Sequence, residues 1–515
     1  MSQTTASAVA APESYDIAND KSVEKLQGKA LGLVGVLFLT VTGAAPMSAM
    51  LGNVPFAAGF GNSIYVPAAF MLATIVLTIF SVAYAAMASK VSSVGGFYSF
   101  ISLGLGREFG MAAGFASLAC YSVFEASLYG LFAFFGNSWI QTHFGVNVPW
   151  IWLGLFAVVL ASLFSYRDVK LSAAILGVAL ILEVIILTIF DIGVLTAKSG
   201  TSFTTEALNL LNVATPVAEQ KIGDADIAAG AAAVGIFMAF WSWVGFEMAP
   251  NYAEESRDPK HIIPRSLYIS VIGLGLFYIL TSWCAVSAFP TEADMVKMAV
   301  KDSGNFFLTP IEQFVGPWAK ELMSFLILTS SFACGMAFHN TAARYLYSLG
   351  REGVLPSFLG NTHNTYKSPH AASTAQSVLA ATWLGLFAYF LGTDDPNAQA
   401  YVAVYTMLAI LGTMLLLVLQ AIVSIAIIVY FRKHHAEDTS FFSTLLAPAI
   451  AFVAQMYLVY MLVANLATFG GGGTFGGNIP LIALAILAFG FVWGLVLRVV
   501  SPDTHNRIGR LVFND

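Results

Sequence analysis

Twelve stretches of this chain are apolar for long enough to cross a lipid bilayer, and that count limits the architecture more than any single motif. A membrane-crossing helix needs about 20 mostly apolar residues. Qualifying stretches fall near 30–58, 63–89, 108–136, 150–166, 170–196, 228–251, 264–288, 321–349, 372–392, 398–431, 443–469 and 479–500. Of the 515 residues, 58% are hydrophobic and 10% charged, where soluble domains average roughly 45–50% and about 25%. A water-soluble enzyme is thereby excluded, and an all-α integral membrane protein of about twelve transmembrane helices is expected.

Orientation follows from the basic residues, which concentrate on the cytoplasmic side of membrane proteins. With the amino terminus inside, all but five of the 23 Lys and Arg fall on one side. The five exceptions are Lys198, Lys221, Lys297, Lys301 and Lys320, in the two longest loops of the opposite side. An odd number of spans would scramble this alternation, so it supports twelve, a multi-pass protein of the cell membrane with both termini cytoplasmic. Residues 1–28 read as a cytoplasmic tail, since they lack the apolar core of a signal peptide, and 501–515 as a second tail. The loops 198–226 and 290–320 read as ordinary connectors, and Gly470–Gly473 as an outer turn. A net charge of −6 offers no footprint for nucleic acid. Three cysteines inside apolar segments imply no disulfide framework and read as small hydrophobes.

Two spans carry breaks. In lipid, backbone groups leave a helix only where protein or a water-filled cavity satisfies them. The first span reads Thr40-Val41-Thr42-Gly43-Ala44-Ala45-Pro46, with Gly43 about 20 Å from the helix start, near mid-membrane. Pro46 donates no hydrogen bond and crowds the preceding turn, so an unwound stretch with free amides and carbonyls is expected. The sixth span reads Phe240-Trp241-Ser242-Trp243-Val244-Gly245-Phe246-Glu247-Met248-Ala249-Pro250, interrupted at similar depth and running oppositely. Interrupted helices at corresponding positions of two halves mark the midplane site of secondary transporters. Matching first span to sixth implies an inverted five-plus-five repeat, residues 29–196 and 228–431 around an outer loop 197–227. Two further helices, 432–500, lie outside the repeat.

At these residues the chain resembles the amino acid–polyamine–organocation permeases. Val244-Gly245-Phe246-Glu247 with Ala253-Glu254-Glu255-Ser256-Arg257-Asp258-Pro259 is similar to that family's sixth-helix signature. Gly95-Gly96-Phe97-Tyr98-Ser99-Phe100 resembles its re-entrant loop after the second helix. Asn340-Thr341-Ala342-Ala343-Arg344-Tyr345, with Arg351-Glu352-Gly353-Val354-Leu355-Pro356, resembles the end of its eighth helix. The resemblance implies a LeuT-like fold and a permease carrying an amino acid by alternating access, as a symporter coupled to protons rather than sodium. It also implies that amides near Gly43, Ala44 and Ala45 take the substrate carboxylate, while carbonyls around Thr40, Val41, Phe240, Trp241 and Val244 take the ammonium. The family often has a Gly-Ser-Gly type sequence in the first helix; here it is Gly43-Ala44-Ala45-Pro46. The absent hydroxyl keeps open a polyamine or organic-amine importer or exchanger of the same fold.

Single residues sharpen the expectation. Trp241 sits at the break, where it either closes the site or simply packs. Glu183 lies about 20 Å along the fifth helix from Lys170, where an unpaired carboxylate is costly and marks a functional position. By resemblance it takes the coupling role, the alternative being a structural hydrogen bond to the first or eighth helix. Glu125, flanked by Tyr121, Ser122 and Tyr129, either faces the pocket and favours amines or bonds a neighbouring side chain. Glu247 and Arg344 are expected to act as gate or scaffold, with His339 grouped beside Arg344. Thr329, Ser330 and Ser331 are expected to bond back to their own helix. No phosphate loop, nucleophile motif or paired metal-spaced histidines appear, so neither an enzyme nor a metal or other cofactor is expected.

Overall fold

The computed structural model describes residues 15–16, 25–167, 169–222, 225–391, 399–466, 474–509 and 511–512. Most of the expected tail 1–28 and the glycine turn at Gly470–Gly473 lie outside the described residues. The described residues are mainly helical, with two pairs of short strands, Tyr15–Asp16 with Leu511–Val512 and Gln220–Ile222 with Ala225–Ile227. Among the described residues, ten helical runs are long and apolar enough to cross a membrane. They include Leu33–Phe60, Arg107–Phe144, Val169–Leu195, Ala232–Tyr252 and Pro317–Arg351. Trp150–Ser165, where a further span was expected, is apolar but has 16 residues, and His370–Leu391 has 22.

The site is positioned by a subset of these helices. The first run is split into α1, Leu33–Ala44, and α2, Pro46–Phe60. It is followed by α3, Val66–Ala88; α4, Phe97–Leu105; α5, Arg107–Phe144; α6, Trp150–Ser165; and α7, Val169–Leu195. The second half begins with α8, Ala232–Trp241, which gives way to a 3-10 turn, Phe246–Tyr252. Then come α9, Pro259–Ser287; α10, Glu292–Lys301; α11, Leu308–Phe314; α12, Pro317–Arg351; and α13, His370–Leu391. A π-helical stretch, Gln399–Met407, leads into α14, Leu408–His434; α15, Ala447–Ala464, and α16, Thr474–Val500, complete the long helices. A short α17, Pro502–Arg507, follows.

Why α1 ends where it does is local chemistry. A residue before proline is pushed out of the right-handed helical region, and Ala45 adopts φ 41°, ψ 79°. That conformation is uncommon for any residue with a side chain, so the surroundings must hold it. The break is tighter than the unwound stretch expected from sequence. Gly43 and Ala44 remain helical, Ala45 N–H still donates to Val41 at 3.0 Å, and α2 restarts at once with Ala49 N–H donating to the Ala45 carbonyl at 2.8 Å.

Side chains divide by environment. On α7, Glu183, Leu187, Phe190, Asp191 and Val194 are buried, while Leu182, Val184, Ile185, Ile192 and Leu195 are exposed apolar groups. Such a surface suits lipid rather than water. The loop expected at 290–320 is more ordered than a plain connector, since it contains α10 and α11.

Candidate functional site

The two breaks meet. A Cβ added at Gly43 would stand 3.3 Å from the Gly245 Cα, and one added at Gly245 would stand 2.6 Å from the Ala44 amide nitrogen. Gly245 has φ +125°, a conformation that side chains disfavour. Its amide donates to Glu247 Oε2 at 2.9 Å, and Tyr121 donates to Glu247 Oε1 at 2.9 Å. Glu247 therefore caps the second break and ties it to α5.

Between the breaks lies a small cavity of about 20 Å³ lined by Gly43, Ala44, Ala45, Ser48, Ala49, Asn53, Leu128, Trp241, Ser242, Val244, Cys334, Phe338 and Tyr405. That volume holds about one water molecule. A larger ligand requires the elements around the site to separate. Trp241 stacks obliquely on Tyr405, ring centroids 4.9 Å apart, and forms one wall. Asn53 connects α2 to the second break and to the π-helical stretch, donating to Ser242 Oγ at 3.0 Å and accepting from the Tyr405 hydroxyl at 2.9 Å.

Of the residues singled out in the sequence, Gly43, Ala44, Ala45, Trp241 and Val244 line this cavity, and Val41, Phe240 and Glu125 do not. Glu125 is fully buried between α5, α12 and α13. Its Oε1 lies 3.0 Å from His339 Nδ1, and its Oε2 accepts from Gln376 at 2.8 Å. His339 Nε2 is 2.8 Å from Ser373 Oγ, so His339 partners Glu125 rather than standing with Arg344.

The groups at the first break already have partners. The Ala44 carbonyl accepts from Tyr278 at 3.0 Å, and the Gly43 carbonyl accepts from Cys334 Sγ at 3.1 Å. At the start of α2, Met47 N–H donates to Glu183 Oε2 at 3.2 Å and Ser48 N–H to Ser330 Oγ at 3.2 Å. A helix amino terminus attracts anions, and here the anionic group is Glu183. Its second oxygen, Oε1, has no protein hydrogen-bond partner. Ser330 also faces this carboxylate, while its hydroxyl pairs with Ser48 Oγ at 2.8 Å. Thr329 and Ser331 bond back to carbonyls of α12, so the three hydroxyls are not equivalent.

The inner part of α12 carries buried charge. Arg344 donates to Glu255 Oε2 through Nε at 3.0 Å and Nη2 at 2.6 Å, and its guanidinium lies 4.3 Å above the Tyr252 ring. Arg351 pairs with Glu254 at 3.1 Å, and Tyr98 donates to Glu352. The two arginine pairs bind α12 to the chain after the second break, and the Tyr98 contact binds its end to α4.

Sequence reasoning did not single out Ser48, Asn53, Ser242, Phe338 or Tyr405. A signal was available for Asn53, a polar side chain two residues before Pro55 in an apolar span. Tyr405 had a weaker one, repeating Tyr401 at one helical turn. Cys334, read as a plain hydrophobe, is buried and free but also lines the cavity.

A pair of interrupted helices meeting at a small cavity inside a bundle of membrane-length helices is the arrangement of a membrane transport protein. Comparison with known families agrees: residues 31–496 match the amino acid permease family, and the chain belongs to it. It is accordingly a transporter and not an enzyme. It is 25% identical over 346 residues to the low-affinity putrescine importer PlaP of Escherichia coli K12, covering 66% of this chain and 71% of that protein. It is 25% identical over 308 residues to the branched-chain amino acid permease BcaP of Lactococcus lactis, covering 56% and 62%. A D-serine/D-alanine/glycine transporter of Escherichia coli K12 is 22% identical over 233 residues, covering 44% and 46%.

Proposed function

We propose that this permease is a secondary active transporter carrying an amino acid across the cytoplasmic membrane by alternating access, coupled to protons through Glu183. In this reading twelve helices form a LeuT-like inverted repeat of five plus five, with two carboxy-terminal helices beside it and both termini in the cytoplasm. The observation carrying the proposal is the placement of Glu183, one oxygen on the Met47 amide at the start of α2 and the other without a protein partner, beside the cavity at the breaks.

The geometry suggests how coupling works. While Glu183 is ionised, its negative charge occupies the electropositive start of α2 and competes with a substrate carboxylate for that end of the helix. Protonation removes the competing charge and lets the amide end accept the substrate anion. Glycine and alanine at the first break leave the backbone accessible, and Trp241 and Tyr405 close over the ligand. Emptying toward the cytoplasm requires α12 to part from the segment holding Glu255, so Arg344 and Glu255 act as the inner gate.

A second reading, an amine importer or exchanger, is favoured by the similarity to a putrescine importer. Against it, Glu125, the acid best suited to attract an amine, is committed to His339 and Gln376. Thermal stabilisation of the purified protein by single amino acids and by di- and polyamines separates the readings. Ligand at a hundred times its Kd adds about 2.7 kcal/mol if only the folded state binds it. Stabilisation by amines alone would replace the amino-acid reading with the second one. Coupling is tested by Glu183→Gln, which should retain substrate exchange and lose accumulation against a gradient.

A further inference from the structure

Glu183 has a counterpart eight residues along the same helix, about 12 Å away, that no motif pointed to. Asp191 is buried, 2% exposed, on the inward face of α7 that also carries Glu183. Thr281 of α9 donates to its Oδ2 at 2.8 Å, and Oδ1 has no protein partner. Two carboxyls of one helix thus share a pattern, with one oxygen satisfied and the other not. An ionised carboxylate left half-satisfied in an apolar interior is strongly disfavoured, and intramembrane acids of this kind line proton pathways.

Among the described residues, the neighbours supply polar groups and no ion pair to either carboxyl. From α9, Tyr278, Thr281 and Cys284 follow one another at three-residue spacing. Tyr278 lies within electrostatic range of Glu183, while Cys284 Sγ is 4.0 Å from the Asp191 carbonyl. Helices α1, α2 and α6, which also pack on α7, contain no titratable residue. Glu312 of α11 is paired with Lys320 of α12 at 2.5 Å, and Cys334 of α12 stands near Glu183. Three residues beyond Cys284, Ser287 is buried with its hydroxyl unpartnered, where α9 meets the loop at Ser202.

We infer that Asp191 is a second proton-binding carboxyl, through which Glu183 exchanges protons with the solution on the side of the 197–227 loop. The inference rests on the reading of Glu183 as the coupling residue. The step moves one proton and nothing else. Asp191 Oδ1–H gives up its proton and Glu183 Oε1 receives one, water carrying the proton across the roughly 12 Å between them. Asp191 is left as a carboxylate until solution refills it.

Infrared difference spectroscopy of the full-length protein in lipid nanodiscs tests this with the proton as the only probe. At neutral pH, D191N should abolish one carbonyl-stretch band of a protonated carboxyl and E183Q a different one. After a jump from alkaline to neutral pH, the Glu183 band should rise at least ten-fold more slowly in D191N than in wild type and reach the same final height. Loss of a band in D191N but none in E183Q would overturn the Glu183 reading while leaving Asp191 as a proton site. An ionised Asp191 at neutral pH, or an unchanged rate in D191N, would overturn the inference. Should D191N fail to fold, T281V removes the one hydroxyl donor to Asp191 and must shift its band; no shift would be equally fatal.

Discussion

On the proposed reading of Arg344 and Glu255 as the inner gate, removing Arg344 should open the permease on that side. The side chains of Arg344 and Glu255 are 4% and 2% exposed, joined by two hydrogen bonds of 3.0 and 2.6 Å. A third bond runs from Nη1 to the Asn340 carbonyl at 2.9 Å, within α12. Breaking a buried pair by deleting one partner costs about 3–5 kcal/mol, because the remaining charge is stranded. Opening the mouth lets water reach that charge, so the cost falls mainly on the closed conformation. At about 1.4 kcal/mol per decade, R344A should raise the open-to-closed ratio by roughly two to three and a half orders of magnitude. Cys334 is a native reporter, 3% exposed and lining the cavity. With Cys120 and Cys284 replaced, a membrane-impermeant thiol reagent applied from the Arg344 side should label Cys334 at least a hundred-fold faster in R344A. Replacing both partners by methionine removes the stranded charge, so R344M/E255M should label far more slowly than R344A. Wild-type labelling of folded R344A, or a double variant as open as the single one, would refute the reasoning.

Three further outcomes follow from the same geometry. Gly245→Ala places a side chain at φ +125° and 2.6 Å from the Ala44 nitrogen, and strain of about 1–3 kcal/mol plus overpacking of about 1–3 kcal/mol should lower thermal stability and abolish uptake; an unchanged melting temperature would contradict the close approach of the breaks. Trp241→Ala removes the contact with Tyr405, worth about 0.5–1.5 kcal/mol beyond burial, and should raise the apparent KM several-fold with little loss of folding, measured by initial rates in proteoliposomes. His505, in α17 beyond the last long helix, is held below the ordinary histidine value chiefly by burial, with Glu108 at 3.2 Å opposing that shift. Because the unfolded chain binds the proton more readily, docking of this segment is fully stable above the unfolded value of about 6.5 and weakens as pH falls through it. Protection factors for hydrogen exchange at residues 502–509, corrected for the intrinsic rate at each pH, should fall on acidification in wild type and lose that dependence in H505Q.

Much of this arrangement was legible because membrane spans write themselves in long apolar runs. Pro46 and Gly245 announced the two breaks through their backbone chemistry, and five of the pocket residues named from the sequence line the cavity. The form of the first break was not legible. Sequence suggested free amides, but whether an amide is free depends on what faces it, and Glu183 and Ser330 arrive there from helices more than a hundred residues away. Glu125 illustrates the same limit. Its depth could be counted along α5, but its commitment to His339 and Gln376 depends on how three helices rotate against one another. Asn53 and Tyr405 are polar groups within apolar helices, and such residues reveal whether they line a site or merely bond a neighbour only when the helices are assembled.

The most direct test of the central claim is accumulation of radiolabelled amino acids by the protein in proteoliposomes under an imposed inward proton gradient, with E183Q alongside. Uphill uptake of at least one amino acid that collapses with the gradient, together with E183Q that exchanges but does not accumulate, is the predicted result. Accumulation that persists unchanged in E183Q, or uphill uptake confined to di- and polyamines, would contradict the account.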